Sequence, residues 1–342
     1  IGLNYEPFII AEMSGNHNQS LDRALSIVDA AADAGAHAIK LQTYTADTMT
    51  LDIKDREFYI DDPESLWKGQ AMYDLYKLAY TPWEWHKPIM EHAKSKNLLC
   101  FSTPFDESAV DFLETLNVPL YKIASFECID LPLIKKAAST KKPLIISTGM
   151  ASINEITEAV DAARSAGCKD LILLKCTSTY PASPENTNLQ TILHMQDLFA
   201  CEVGLSDHTM GIGAAVAAVA IGATVIEKHF TLSRADGGVD SAFSLEPNEL
   251  ASLVSETERA HQALGSISYG STEAEKGSLS RRRSLYIGEN MKSGEILTPK
   301  NLRRVRPGNG LLPKYYESLI GKRVKFDVAK GTPVSWDIIL DK

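Results

Sequence analysis

The sequence predicts an α/β protein: a closed (β/α)8 TIM barrel followed by a small, turn-rich second module. Three observations carry this expectation. Eight short apolar runs alternate with amphipathic helical patterns over residues 1–265, the order of βαβ units in a parallel sheet. The first run leads into AEMSGNHNQS, which lacks the glycine fingerprint of a doubly wound dinucleotide-binding sheet. After a Gly/Ser-rich stretch, the last ~60 residues change to short strands and many turns, a core near the lower limit for independent stability.

The candidate strands are 8–13, 38–42, 98–103, 120–124, 144–148, 171–176, 202–206 and 224–229. The helical patterns between and after them cover 22–34, 82–96, 108–116, 131–138, 153–166, 189–198, 213–221 and 247–264. Residues 43–80 form a long loop rich in aromatic and charged residues, the pattern of a lid or binding loop. Residues 266–280 read as a linker. In the module over 281–342, MKSGEILTPKNL and VAKGTPVSWDII repeat one pattern: apolar, Lys, Gly, apolar, turn, apolar.

The 342 residues are 44 % hydrophobic and 23 % charged, which excludes a disordered chain. The longest apolar run, 211–226, is Ala/Gly-rich and too short to span a bilayer. The N-terminal residues lack the basic region of a signal peptide. Five cysteines with no CxxC pair fit a reduced, cytoplasmic protein. A net charge of −9 argues against general nucleic-acid binding. Residues 281–342 nevertheless carry 14 Lys/Arg and six Asp/Glu, a basic tail on an acidic body. That contrast fits two attracting modules, the steering of an anionic substrate, or merely a solvated basic surface.

A barrel places its chemistry at the C-terminal ends of its strands. There the sequence offers Glu12; Lys40 and Gln42; Thr103 and Phe105; Lys122, Ser125 and Glu127; Ser147; Ser178 and Tyr180; Ser206 and His208; and Glu227, Lys228 and His229. Side chains alternate along a strand, so Glu227 and His229 share a face and Lys228 points away. Lysines in apolar strands need partners. Lys40 and Lys122 with the hydroxyls of Thr103, Ser125, Ser147 and Ser206 would grip a small anion such as a phosphate ester. Alternatively each lysine pairs with a barrel carboxylate such as Glu12. His208 and His229 are a candidate metal pair, or hydrogen-bonded structural residues. His17 suits either a ligand contact or a helix cap. In Arg306-Pro307-Gly308-Asn309-Gly310, a fixed turn presents a cation, for a polar ligand or for solvent.

The strings AEMSGNH, AIKLQTY, FSTPFD, STGM, KCTSTYP, GLSDHT, IEKHF and RPGNG resemble, in order, the sialic acid synthase family. That resemblance implies a phosphoenolpyruvate (PEP)-binding barrel over 1–265 and an antifreeze-like (SAF) domain over 281–342. It also implies a domain-swapped homodimer and a divalent metal (Mn²⁺, Mg²⁺ or Co²⁺) on His208 and His229. By the same resemblance Lys40, Thr103, Lys122, Ser125, Ser147 and Ser206 bind PEP, and Gln42, Phe105, Tyr180, Asp240 and Arg306 bind the sugar. Glu12 and Glu127 would be the acids near the reacting carbons. The string GVDSAFSL at 238–245 is similar to that of pseudaminic acid synthases. It implies condensation of PEP with 2,4-diacetamido-2,4,6-trideoxy-L-altrose. N-Acetylneuraminate or legionaminate synthesis is the alternative within the family. A class I aldolase using Lys122 or Lys175, and a non-enzymatic carbohydrate- or ice-binding protein, are rivals outside it.

Overall fold

The computed structural model describes residues 1–340. They form two compact units, one spanning Ile1–Gly265 and the other beginning at Ser266. The first is a closed barrel of eight parallel strands in sequential order, as expected. The strands are β1 (Phe8–Glu12), β2 (Ala38–Thr43), β3 (Leu99–Pro104), β4 (Tyr121–Ile123), β5 (Leu144–Ser147), β6 (Leu171–Cys176), β7 (Glu202–Asp207) and β8 (Val225–His229). β1 closes the ring by pairing with both β2 and β8.

The helices are α1 (Leu21–Asp33), α2 (Ala46–Met49), α3 (Met72–Ala79), α4 (Trp83–Ser95), α5 (Glu107–Thr115), α6 (Leu131–Ser139), α7 (Ile153–Ser165), α8 (Thr191–Phe199), α9 (Gly213–Ala220) and α10 (Pro247–Leu264). α1 shows how each is specified. Ser20 caps its first turn by accepting from the Arg23 N–H, and Ala24, Ile27, Val28 and Ala31 form the buried stripe. Residues 43–80, expected as an uninterrupted loop, contain α2 and α3. Leu75 and Ala79 of α3 are buried one turn apart, so apolar spacing at helical period was present there but diluted by neighbouring aromatics.

Strand alternation sorts the barrel residues into two sets. Ile9, Ala11, Ile39 and Leu41 face the helices and join the main core. Ile10, Ala38, Phe101, Ile145, Leu174 and Val225 pack against one another as a separate interior plug. The plug makes the barrel floor solid. Gly204 is required beside it, because a Cβ there would lie 2.1 Å from the Val225 carbonyl oxygen.

In the second unit β9 (Ser284–Ile287) pairs antiparallel with β10 (Leu302–Val305), and β11 (Arg323–Val324) with β12 (Ile339–Leu340). The two similar units noted in the sequence meet where Met291 and Val328 form a reciprocal bridge, with hydrogen bonds of 2.8 and 2.9 Å. Gly294 and Gly331 turn the chain at equivalent points, with φ of 83° and 87°. The stretch expected as a linker is partly ordered into exposed 3-10 turns over Glu273–Arg281. Thr272 opens them with a capping box to Glu275, a local signal that the Gly/Ser content masked. Among the described residues no helix is long and apolar enough to cross a membrane, and all five cysteines are free.

Candidate active site

The interior plug positions the chemistry. Two residues further along each strand, the same face carries Glu12, Lys40, Thr103, Ser147, Cys176 and Glu227 in succession to Ile10, Ala38, Phe101, Ile145, Leu174 and Val225. Lys122 and Ser206 complete this ring from β4 and β7. All eight are buried. Apolar residues below and polar residues above form one continuous interior, so the ring lies at the mouth of a closed floor.

The ring is a connected electrostatic network. The Lys40 ammonium lies 2.5 Å from Glu12 Oε2, 3.0 Å from Thr103 Oγ1 and 3.7 Å from Glu227 Oε1. Lys122 donates to Ser147 Oγ at 2.7 Å and to its neighbour's carbonyl at 3.0 Å, and stands 3.8 Å from Glu227 Oε1. Ser206 donates to Glu227 at 3.3 Å, and Gln42 to Glu12 at 3.0 Å. The lysines therefore converge with the hydroxyls, and carboxylates partner them.

Burial pushes the Glu12 carboxyl up to about 7, aided by the negative charge of Glu227 and opposed by Lys40. For Glu227 burial acts in the same direction, but Lys122 and Lys40 outweigh it and the carboxyl falls below its usual range. Burial lowers Lys122, and Lys40 adds to that; at Lys40 the two carboxylates override burial and raise it. Glu227 Oε2 is buried without a hydrogen bond, as a group awaiting a further partner would be.

Above this ring stand the histidines. Their rings are 5.4 Å apart between centroids. His208 Nδ1 is tied to the Thr177 carbonyl at 2.8 Å, which directs Nε2 away from it. His229 Nδ1 is buried without a hydrogen bond, and Asp240 Oδ2 is 3.9 Å from it. Burial, reinforced by His208 and the lysines, holds His229 neutral, the form that ligates metals. The donor set fits a divalent ion carried on two imidazoles. Among the described residues no group of three or more His, Cys, Asp or Glu is arranged to hold an ion unaided, so water or substrate would fill the remaining positions.

Other expected residues fall around this centre. The Tyr180 ring lies 4.4 Å from His208 and 5.2 Å from Phe243, and Phe243 lies 4.9 Å from His229. Asp240 accepts from the Ser14 hydroxyl. Ser125 and Ser178 share a 2.7 Å hydrogen bond, which assigns Ser178 to holding Ser125. Glu127 follows β4 in a 3-10 turn; burial pushes it up to about 7, and its Oε2 lacks a partner. Phe105 packs edge-on against Tyr44, 5.2 Å between centroids. Arg306 lies on the second unit, in the turn after β10.

Three sequence-level alternatives are settled. Lys228 points outward to Asp207 Oδ2 at 3.0 Å, as alternation requires. His17 is a core residue bonded to Thr81 at 3.2 Å, and burial drives it down to about 4. Lys175 precedes the inward Cys176, bonds the Cys176 carbonyl at 2.7 Å and does not line the ring, which removes it as a Schiff-base candidate. Glu227 is a site residue that the sequence offered at its strand end without a role. Its shared face with His229 was the available signal. Trp67 is another, visible in the sequence only as one aromatic among several in the long loop.

A solid-floored barrel with paired lysines, carboxylates and histidines at its mouth is the architecture of an α/β-barrel enzyme that handles a small anion. Sequence comparison narrows this. A NeuB family model matches residues 27–269 and a SAF domain model matches residues 282–340. This chain belongs to the NeuB family. It is 43 % identical over 327 residues to pseudaminic acid synthase of Campylobacter jejuni subsp. jejuni serotype O:23/36, covering 95 % of this chain and 94 % of that one. It is 40 % identical over 337 residues to pseudaminic acid synthase of Helicobacter pylori, covering 97 % and 98 %. Among solved structures, N-acetylneuraminic acid synthetase from Leptospira borgpetersenii, crystallised with citrate, superposes with a TM-score of 0.72 at 35 % identity, over 81 % of this chain and 91 % of that one.

Proposed function

We propose that the protein is a pseudaminic acid synthase, joining PEP to 2,4-diacetamido-2,4,6-trideoxy-L-altrose with water, to give pseudaminic acid and phosphate. The observation that carries the reading is the convergence of Lys40, Lys122, Thr103, Ser147 and Ser206 beneath two histidines. Relatives of that name, matched at 40–43 % identity over nearly the whole chain, support the choice of sugar.

In this mechanism the lysines and hydroxyls hold the phosphate and carboxylate of PEP, which fixes its methylene carbon in line with the aldehyde. Glu12, with a pKa near 7, takes up a proton as the anion arrives, so that the ring presents excess positive charge. His208 and His229 would hold a divalent metal, Mn²⁺, Mg²⁺ or Co²⁺, which supplies Lewis-acid polarisation of the aldehyde oxygen. A bond forms between PEP C3 and the aldehyde carbon as the C=O π bond breaks; the aldehyde oxygen takes a proton from solvent to become a hydroxyl, and positive charge is left at PEP C2. Glu127 accepts a proton from the water that attacks C2. The hemiketal phosphate then collapses with cleavage of its C–O bond, and the bridging oxygen leaves with phosphate. Gln42, Tyr180 and Asp240 orient the sugar, and Phe105 borders its approach. Arg306 reaches it from a second copy of the chain in a domain-swapped dimer.

The test is a product assay by mass spectrometry. PEP labelled with ¹⁸O in its C–O–P bridge is offered with the altrose derivative, N-acetylmannosamine and the legionaminic precursor. Pseudaminic acid as main product, with label in phosphate, supports the reading. A different preferred aldehyde reassigns the sugar, and label retained in the sugar acid refutes the C–O cleavage.

A further inference from the structure

The loops after β1 and β8 and the segment ahead of α3 line a cavity of about 540 Å³ to which the chemistry above assigns nothing. That volume is typical of a small-molecule site. Three segments wall it: Gly15, Asn18 and Gln19 after β1, Trp67 and Gln70 ahead of α3, and Gly238, Val239 and Ala242 after β8. Trp67 links it to the centre. Its indole N–H donates to the Val239 carbonyl at 2.9 Å, and its ring lies 6.0 Å from Tyr180, the residue that packs on His208.

The lining is chemically selective. Every side chain in it is uncharged, with Leu75 and Leu78 of α3 as the apolar wall. An ammonium or phosphate placed there would lose water without gaining a counter-charge. Two of its three amide side chains are already engaged: Gln19 donates to the carbonyls of Leu78 at 3.0 Å and Tyr80 at 2.7 Å, and Asn18 to that of Gly237 at 3.1 Å. Gln70 is fixed through its backbone, accepting from the Ile60 N–H at 2.9 Å and donating to the Trp67 carbonyl at 3.3 Å, while its side chain lines the cavity. A group combining an amide with a methyl matches both features: the amide for Gln70, the methyl for leucine and indole.

We propose that this cavity receives an acylamino substituent of the aldehyde substrate, with its amide on Gln70 and its methyl against Trp67 and Leu75. The proposal rests on the reading of the barrel as a synthase that condenses PEP with an aldehyde. The test compares steady-state kinetics of the wild type, Gln70→Leu and Ala242→Leu. Each is offered the acylated aldehyde and the corresponding free-amine aldehyde, with KM for PEP measured in parallel. Gln70 is half-buried and Ala242 exposed, so neither change disturbs the core. The wild type should favour the acylated aldehyde. Each variant should raise its KM about tenfold, as expected for one lost hydrogen bond or a filled pocket, and leave KM for PEP unchanged. The preference over the free amine should shrink accordingly. Variants with wild-type KM for the acylated aldehyde, or with KM for PEP rising in step, overturn the proposal. A wild type that consumes PEP with no aldehyde at all overturns the underlying reading too, and is distinct from either result.

Discussion

Replacing Lys122 by methionine removes one cation from the ring and keeps the length and most of the volume of the side chain. The lost contacts are the 2.7 Å bond to Ser147, the 3.0 Å bond to the Ile123 carbonyl and the 3.8 Å approach to Glu227. Glu227 is not orphaned, because Lys40 remains at 3.7 Å and Ser206 at 3.3 Å. The fold should therefore lose less than the 3–5 kcal/mol, roughly, that accompanies a fully unpaired buried charge. Binding of PEP should suffer more. A charge-assisted hydrogen bond contributes about 1.5–3 kcal/mol, which is about 10- to 150-fold in affinity. Isothermal titration of PEP into Lys122→Met, beside a thermal melt, reads both quantities. A PEP Kd within about twofold of wild type would refute the reasoning, since a purely structural lysine belongs to the small-effect range.

Three further outcomes follow from the same geometry. Glu127→Gln should lower kcat by about 10²–10⁴. Because the carboxylate must be ionised to accept a proton, the wild-type rate should rise as pH passes through about 7, and the variant should lack that limb; an unchanged pH profile counts against the role. Gly149→Ala places a Cβ 2.6 Å from that of Ser125 at a φ of 48°, so chemical denaturation should show a loss of about 1–3 kcal/mol, with a raised KM for PEP. Exhaustive EDTA treatment should abolish activity, with recovery on adding Mn²⁺; full activity after chelation would remove the metal from the mechanism.

Much of this was legible in the sequence because parallel strands obey simple periodicity. Lys40 and Lys122 stand out as lysines within apolar runs, and the alternation in IEKHF correctly sends Lys228 outward while Glu227 and His229 face in. What alternation cannot show is pairing. That Lys40 meets Glu12 depends on the register between β1 and β2, which sets the two residues directly opposite each other. The long loop was harder, because its helices α2 and α3 are short and local propensity carries little weight over so few residues. Trp67 matters through Val239, 172 positions away, and no local pattern encodes such a contact. His17 likewise read as either a ligand contact or a helix cap, and only its burial beside Thr81 and Trp85 shows it as neutral core.

The most direct measurement is a crystal structure of the protein with PEP and Mn²⁺, using anomalous scattering to locate the metal. The account predicts an anomalous peak within bonding distance of His208 and His229, with the PEP phosphate or carboxylate against Lys40 and Lys122. Metal or PEP bound elsewhere, with the barrel mouth holding solvent alone, would contradict it.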